Sequence, residues 1–187
     1  MNRTLLLLSL FVAAPVAVKA QAVVMPAAPL DAARTHVRDA MLALRDSLMT
    51  INGATAALHR DFRRTSGALL TARAREVSGA CARSARTVGP TREAVAAAQA
   101  TNPVPVRTRD ALVRSLDSLS VELSHCVSEF SAMAAPGKAE EVRGYGIRRS
   151  EPVLKALGEY DRAANAFFAT WGIEVRPLGA RPVPLAG

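Results

Sequence analysis

The chain has 187 residues, of which 50% are apolar, 4% aromatic and 21% charged, with 24 Lys and Arg against 16 Asp and Glu. This is the composition of a folded chain rather than a disordered one, and the length suits a single domain. Two cysteines and three histidines exclude a disulfide-scaffolded miniprotein and a four-cysteine zinc or iron–sulfur site.

Residues 1–20 read as a signal peptide with cleavage near residues 20–22. Arg3 supplies the positive start, residues 5–18 an apolar stretch, and Val18-Lys19-Ala20 or Ala20-Gln21-Ala22 a small-residue cleavage site. The apolar stretch contains Pro15 and is shorter than the about 20 residues a bilayer span needs, which makes a retained anchor the weaker alternative. No cysteine follows it to carry a lipid, and a lone Arg3 does not make a twin-arginine signal. The mature chain is therefore expected outside the cytoplasm, periplasmic or secreted, and not an integral membrane protein once cleaved. Disulfides are permitted there. Residues 21–30 are expected as an extended leader.

From residue 31 onward an alanine-rich, aromatic-poor sequence favours helix over sheet, and four apolar seams recur at helical spacing. The first, over about 31–64, is Val37, Met41, Leu44, Leu48, Ile51, Leu58 and Phe62, with Thr55 on the same face and Asp31 as its N-cap. The phase slips at Arg63-Arg64-Thr65-Ser66-Gly67, which predicts a turn. One long helix with a stutter is the competing reading. The second seam, over about 67–101, is Leu70, Ala74, Val77, Cys81, Ser84 and Val88, and must pass through Gly89-Pro90. The third, over about 107–134, is Leu112, Leu116, Leu119, Leu123, Cys126, Phe130 and Met133. The fourth, over about 138–171, is Val153, Leu157, Tyr160, Ala164, Phe167 and Trp171. Ser150-Glu151-Pro152 reads as an N-cap followed by a first-turn proline, and Gly144 and Gly146 weaken the segment before it. Residues 138–149 are therefore expected as a separate or kinked piece. Four such helices on short turns predict an all-α, elongated up-down-up-down four-helix bundle over residues 31–171, followed by a Pro-rich tail at 172–187.

The midpoint between Cys81 and Cys126 falls between Pro103 and Val104, where the second and third helices must turn. An antiparallel hairpin there sets both cysteines at one height on facing seams, so a Cys81–Cys126 disulfide is expected.

Recognisable reaction chemistry is missing from the sequence. Covalent haem needs Cys-x-x-Cys-His, whereas the chain reads Ser124-His125-Cys126, and the fourth helix has no histidine to ligate a non-covalent haem. Glu122 and His125 have the spacing of a di-iron bundle motif, which such a site needs twice. His36 and His59 are too far apart to share a metal, and the histidines read as solvated flank residues. No cofactor and no metal are expected. Nucleophile elbows, zinc-protease helices and phosphate loops are absent, as are nucleic-acid modules.

Three functional readings remain. The first is an exported, non-catalytic bundle with an interaction or structural role in the cell envelope, partnered by an envelope or membrane-complex protein or an anionic envelope surface. Its focus is the charge: residues 60–92 carry eight arginines against Asp61 and Glu76, while the rest of the mature chain is neutral. Arg60, Arg63 and Arg64 at the first turn are the expected contact points, and Arg75, Arg83 and Arg86 point away from the seam. The second reading is a periplasmic bundle that binds a small ligand or holds unfolded protein, using an apolar pocket at Tyr160, Phe167, Phe168 and Trp171. The third is an enzyme whose site is assembled from distant residues, since such constellations are spatial.

Overall fold

Four seams that can be buried only against one another give four helices: α1 (Ala32–Asp61), α2 (Gly67–Ala97), α3 (Pro103–Met133) and α4 (Ala139–Trp171). The computed structural model describes residues 32–62, 66–99 and 103–173, which contain no strand. The expected signal peptide, the leader, Arg63, Arg64 and nearly all of the Pro-rich tail lie outside the described residues.

Each helix runs antiparallel to the next, as the cross-helix bonds show. Ser47 Oγ and Ser84 Oγ lie 2.8 Å apart, and the Thr91 hydroxyl donates to the Ala40 carbonyl at 3.1 Å, joining α1 to α2. Ser78 Oγ meets Ser131 Oγ at 2.8 Å between α2 and α3. Thr108 and Thr170 meet at 2.7 Å between α3 and α4. The ring closes between α1 and α4, where His59 Nε2 lies 3.1 Å from Ser150 Oγ. Helices of 30–33 residues are about 45–50 Å long.

The core is the set of seams. Every seam residue named above is buried except Phe62, which is half-buried against the same core. The seam of α2 continues beyond Pro90 through Thr91, Ala94, Val95 and Ala98. Pro90 is tolerated because it lies on the solvent side of the helix, where the carbonyl that loses its partner can bond water.

As expected, α1 ends at Asp61 and α2 begins at Gly67, which excludes the competing single helix with a stutter, and Asp61 accepts an ion pair from Arg73 at 2.8 Å. Two sequence expectations need correction. Residues 139–171 form a single helix, and Ser150 is not a cap. Ser150 lies mid-helix and fully buried, donating to the Ile147 carbonyl at 2.7 Å while facing His59. Pro152 is exposed, like Pro90, so its missing donor costs little. Gly146 faces α1, where a Cβ would already stand 3.4 Å from a Leu58 methyl. The contact with α1 holds together a segment that local propensity would break. Finally, α2 ends at Ala97 rather than about 101, and α3 begins at Pro103 rather than 107, with proline in the first turn where its missing N–H is harmless.

Arginines and one glycine finish the helices. The last carbonyls of a helix have no internal donors and carry the negative end of the helix dipole. Arg143 donates to the Phe62 carbonyl after α1 (3.2 Å), Arg109 to the Ala98 carbonyl after α2 (3.0 Å) and Arg75 to the Ala134 carbonyl after α3 (3.3 Å). The fourth helix ends instead at Gly172, whose φ of 61° is the left-handed turn that glycine adopts without strain.

Candidate functional site

Cys81 and Cys126 form a disulfide, with Cα atoms 6.2 Å apart, both sulfurs sealed in the α2–α3 seam. The pairing agrees with the structure, while the turn lies between Ala97 and Pro103, a few residues before the Pro103–Val104 midpoint.

The aromatic residues expected as a pocket pack mainly on one another. Phe167 stacks on Trp171 with centroids 5.0 Å apart, and Phe168 meets Phe167 edge-on at 6.2 Å. The indole N–H of Trp171 donates to the Pro105 carbonyl at 3.2 Å, fixing the end of α4 to the start of α3. Tyr160 is buried two turns away. Burial, and then the charge of Asp161, hold its phenol well above the ordinary tyrosine value, against the opposing effect of Arg45. Burial likewise raises the Asp161 carboxyl, again opposed by Arg45. Beside Trp171 lies a cavity of about 80 Å³ bordered by Val37, Ala98 and Ile173, the volume of two or three water molecules at about 30 Å³ each. Of the four aromatics only Trp171 lines it.

The histidines are distributed differently from the expectation. His125 is exposed, 3.7 Å from Glu122 one turn before it. His59 is not a solvated flank residue: it is half-buried and bridges α1 to α4 through Ser150. Among the described residues no group of three His, Cys, Asp or Glu side chains converges as a metal site would require.

The positive charge is unevenly distributed along α1 and α2. At the end of α1, Arg60 is 72% exposed, with its Nε 4.0 Å from Asp61. Along α2 the arginines divide into two kinds. Arg73 is held between Glu76 (2.7 Å) and Asp61 (2.8 Å), and hydrogen bonds to Glu76 and then Asp61 raise its guanidinium above the ordinary value. Arg92 is paired with Asp117. Arg75 donates to the Ala134 carbonyl at the end of α3 and has no acidic side-chain partner among the described residues. Arg83 and Arg86 are exposed and meet no acidic side chain among the described residues.

Arg73, Arg75, Glu76 and Arg83 line the wall of an open cleft of about 660 Å³ between α1 and α2. Its floor is Gly53, Ala54 and Ala57 from α1 with Ala72 and Gly79 from α2. The Arg83 guanidinium lies across Gly79, so that a Cβ there would sit 3.5 Å from its nitrogen. The sequence reading identified the arginines but missed the floor. The signal was present in outline, since Gly53 and Ala57, and Ala72 and Gly79, fall one and two turns apart on the outer flanks of their seams. Small residues beside a seam leave no hydropathy mark that separates a cleft from ordinary helix surface.

No helix among the described residues is long and apolar enough to cross a membrane. Comparison with protein-family models, with curated proteins and with solved structures finds no match to this chain.

Proposed function

We propose that the chain is an exported, non-catalytic helical bundle that works by surface contact in the cell envelope, binding an envelope or membrane-complex protein through its arginine-rich side. The observation that carries this reading is the arrangement of charge on α2, where Arg75, Arg83 and Arg86 share the outward side without acidic partners while Arg73 and Arg92 are neutralised. Uncompensated like charges on one helix repel each other, and a bound anionic surface relieves that repulsion. The polar groups inside the bundle support the same reading, because they are engaged in joining helices: Ser78 to Ser131, Ser47 to Ser84, and Thr91 to the Ala40 carbonyl. The placement outside the cytoplasm is supported by the signal-like residues 1–20 and by a disulfide that suits an oxidising compartment. In this reading Arg60, Arg63 and Arg64 at the first turn supply a further weak, salt-sensitive contact to the anionic envelope surface, each basic residue adding about 1 kcal/mol near such a surface.

Chemical crosslinking in intact cells, followed by purification of the tagged chain and mass spectrometry, tests the reading. A stoichiometric partner from the envelope fraction supports it. Recovery of the chain alone, or from the cytoplasmic fraction, rejects it. Co-sedimentation with anionic vesicles at low and high salt tests the first turn separately, with Arg60, Arg63 and Arg64 changed together to Gln.

A further inference from the structure

We propose that the cleft between α1 and α2 is the seat for an acidic amphipathic helix of the partner protein, a deepening that rests on the interaction reading above. Three features of the cleft fit a helix better than a flat surface. First, its floor is glycine and alanine, and small residues let a third helix approach α1 and α2 closely, as helix packing requires. Gly53 has no atom within 4 Å of where its Cβ would be, so the floor beside it is open. Second, the cleft is pinned at both ends by contacts between the two helices. Asp61 and Arg73 tie the helices at one end, and Ser47 and Ser84 at the other. Arg73 and Arg83 are ten residues apart, about 15 Å along α2, which is the length of nearly three helical turns. A cleft braced in this way needs no rearrangement to receive its occupant. Third, its solvent rim is cationic on balance: Arg73, Arg75 and Arg83 line it against a single carboxylate, Glu76, which Arg73 already engages. Arg86 follows Arg83 one turn later on the same side.

The occupant specified by these features carries small or apolar residues at i, i+3, i+4 and i+7 toward the floor. Acidic residues on its flank meet Arg83 and Arg86. A bilayer surface is too flat to enter the cleft and would touch only the rim.

The test uses the full mature chain and a displayed library of acidic amphipathic helical peptides, with composition-matched scrambled peptides as controls. Selected peptides are then measured by fluorescence anisotropy. Two variants test the site without threatening the fold. Arg83→Glu with Arg86→Glu changes exposed side chains that cap no helix. Gly53→Leu places a side chain in open space and fills the floor. The expected result is a selected peptide whose affinity falls about tenfold or more in the charge-reversed variant and also in Gly53→Leu. A peptide with its Glu residues replaced by Lys should regain binding to the charge-reversed variant. A library without binders overturns the proposal. So do binders unaffected by both variants, or vesicles containing anionic lipid that bind through Arg83 and Arg86 when the peptides do not. If a crosslinked partner is recovered equally by wild type and R83E/R86E, the cleft assignment fails and the interaction reading stands. If peptides bind the cleft but no partner is recovered from cells, the reverse holds.

Discussion

Toward α3, helix α2 presents Ser78 and Cys81, both buried and both bonded across the seam; toward solvent beside α1 it presents Ala72, Gly79 and Arg83 around an open cleft. One helix thus carries a closed contact and an open one, and the difference lies in side-chain volume and charge. On the α3 side, each polar atom has a partner and each apolar side chain has neighbours, so the surface is consumed in holding the fold. On the α1 side, small residues stop short of filling the space between the helices, and the charges at its edge are only partly balanced. The closed side should therefore resist substitution poorly and the open side well.

The largest effect expected from this contrast is at the disulfide. Its closed loop spans 45 residues, and opening it should cost about 4 kcal/mol in the chain-entropy account. Thermal melts of oxidised and reduced protein should show a clear drop, and a reduced protein as stable as the oxidised one would break the comparison. Next comes Leu119→Ala. Leu119 of α3 is fully buried in the shared core, and truncation should cost about 3 kcal/mol in urea unfolding through lost contacts and the cavity left behind.

Two glycines should behave in opposite ways according to what faces them, Gly67 packed against α4 and Gly53 on the open cleft. A Cβ on Gly67 would stand 2.9 Å from the Cβ of Ala139, too close for either helix to keep its place. Gly67→Ala should therefore destabilise by about 1–2 kcal/mol. Gly53 faces open space within α1, so Gly53→Ala should stabilise by up to about 1 kcal/mol through helix propensity alone. Matched urea titrations of the two variants sharpen the comparison, and the same sign for both would refute it.

The smallest expected effect is alkaline and concerns Tyr160. Because the folded protein holds this phenol above its ordinary value of 10.0, the folded chain keeps its proton while the unfolded chain loses it as pH rises past that value. The unfolded state then binds fewer protons, so stability should fall with rising pH above about 10. Tyr160→Phe should remove that part of the slope, as measured by urea midpoints at pH 9, 10 and 11. An unchanged slope would mean that Tyr160 ionises alike in both states.

Much of the fold is legible in the sequence because burial is periodic. Steps of three and four residues mark the inward faces of all four helices, and nearly every residue marked in this way is buried, from Val37 to Trp171. The disulfide is legible for a related reason: an antiparallel hairpin equates distances from its turn, so two seam cysteines at equal distance must meet. The arginine excess was also visible, though not which arginines were already paired. That depends on Asp61 reaching α2 and Asp117 reaching α2 from α3, which are matters of tertiary neighbours.

By itself, then, the sequence determined the helical class, the four inward faces, the first and third turns and the cysteine pair, because each follows from local periodicity or from chain symmetry. Only the tertiary structure decided that α4 runs unbroken past Gly144, Gly146 and Pro152, that Ser150 bonds to α1 instead of capping a helix, and that Gly53 and Gly79 floor a cleft. The physical reason is common to all three. Glycine and proline carry local penalties of about 1 and 3 kcal/mol in a helix, which point to a break when the segment is considered alone. Burying Val142 and Val153 in the shared core and seating Leu58 against Gly146 offset those penalties. The meaning of a glycine in this chain is set by the helix that comes to lie against it.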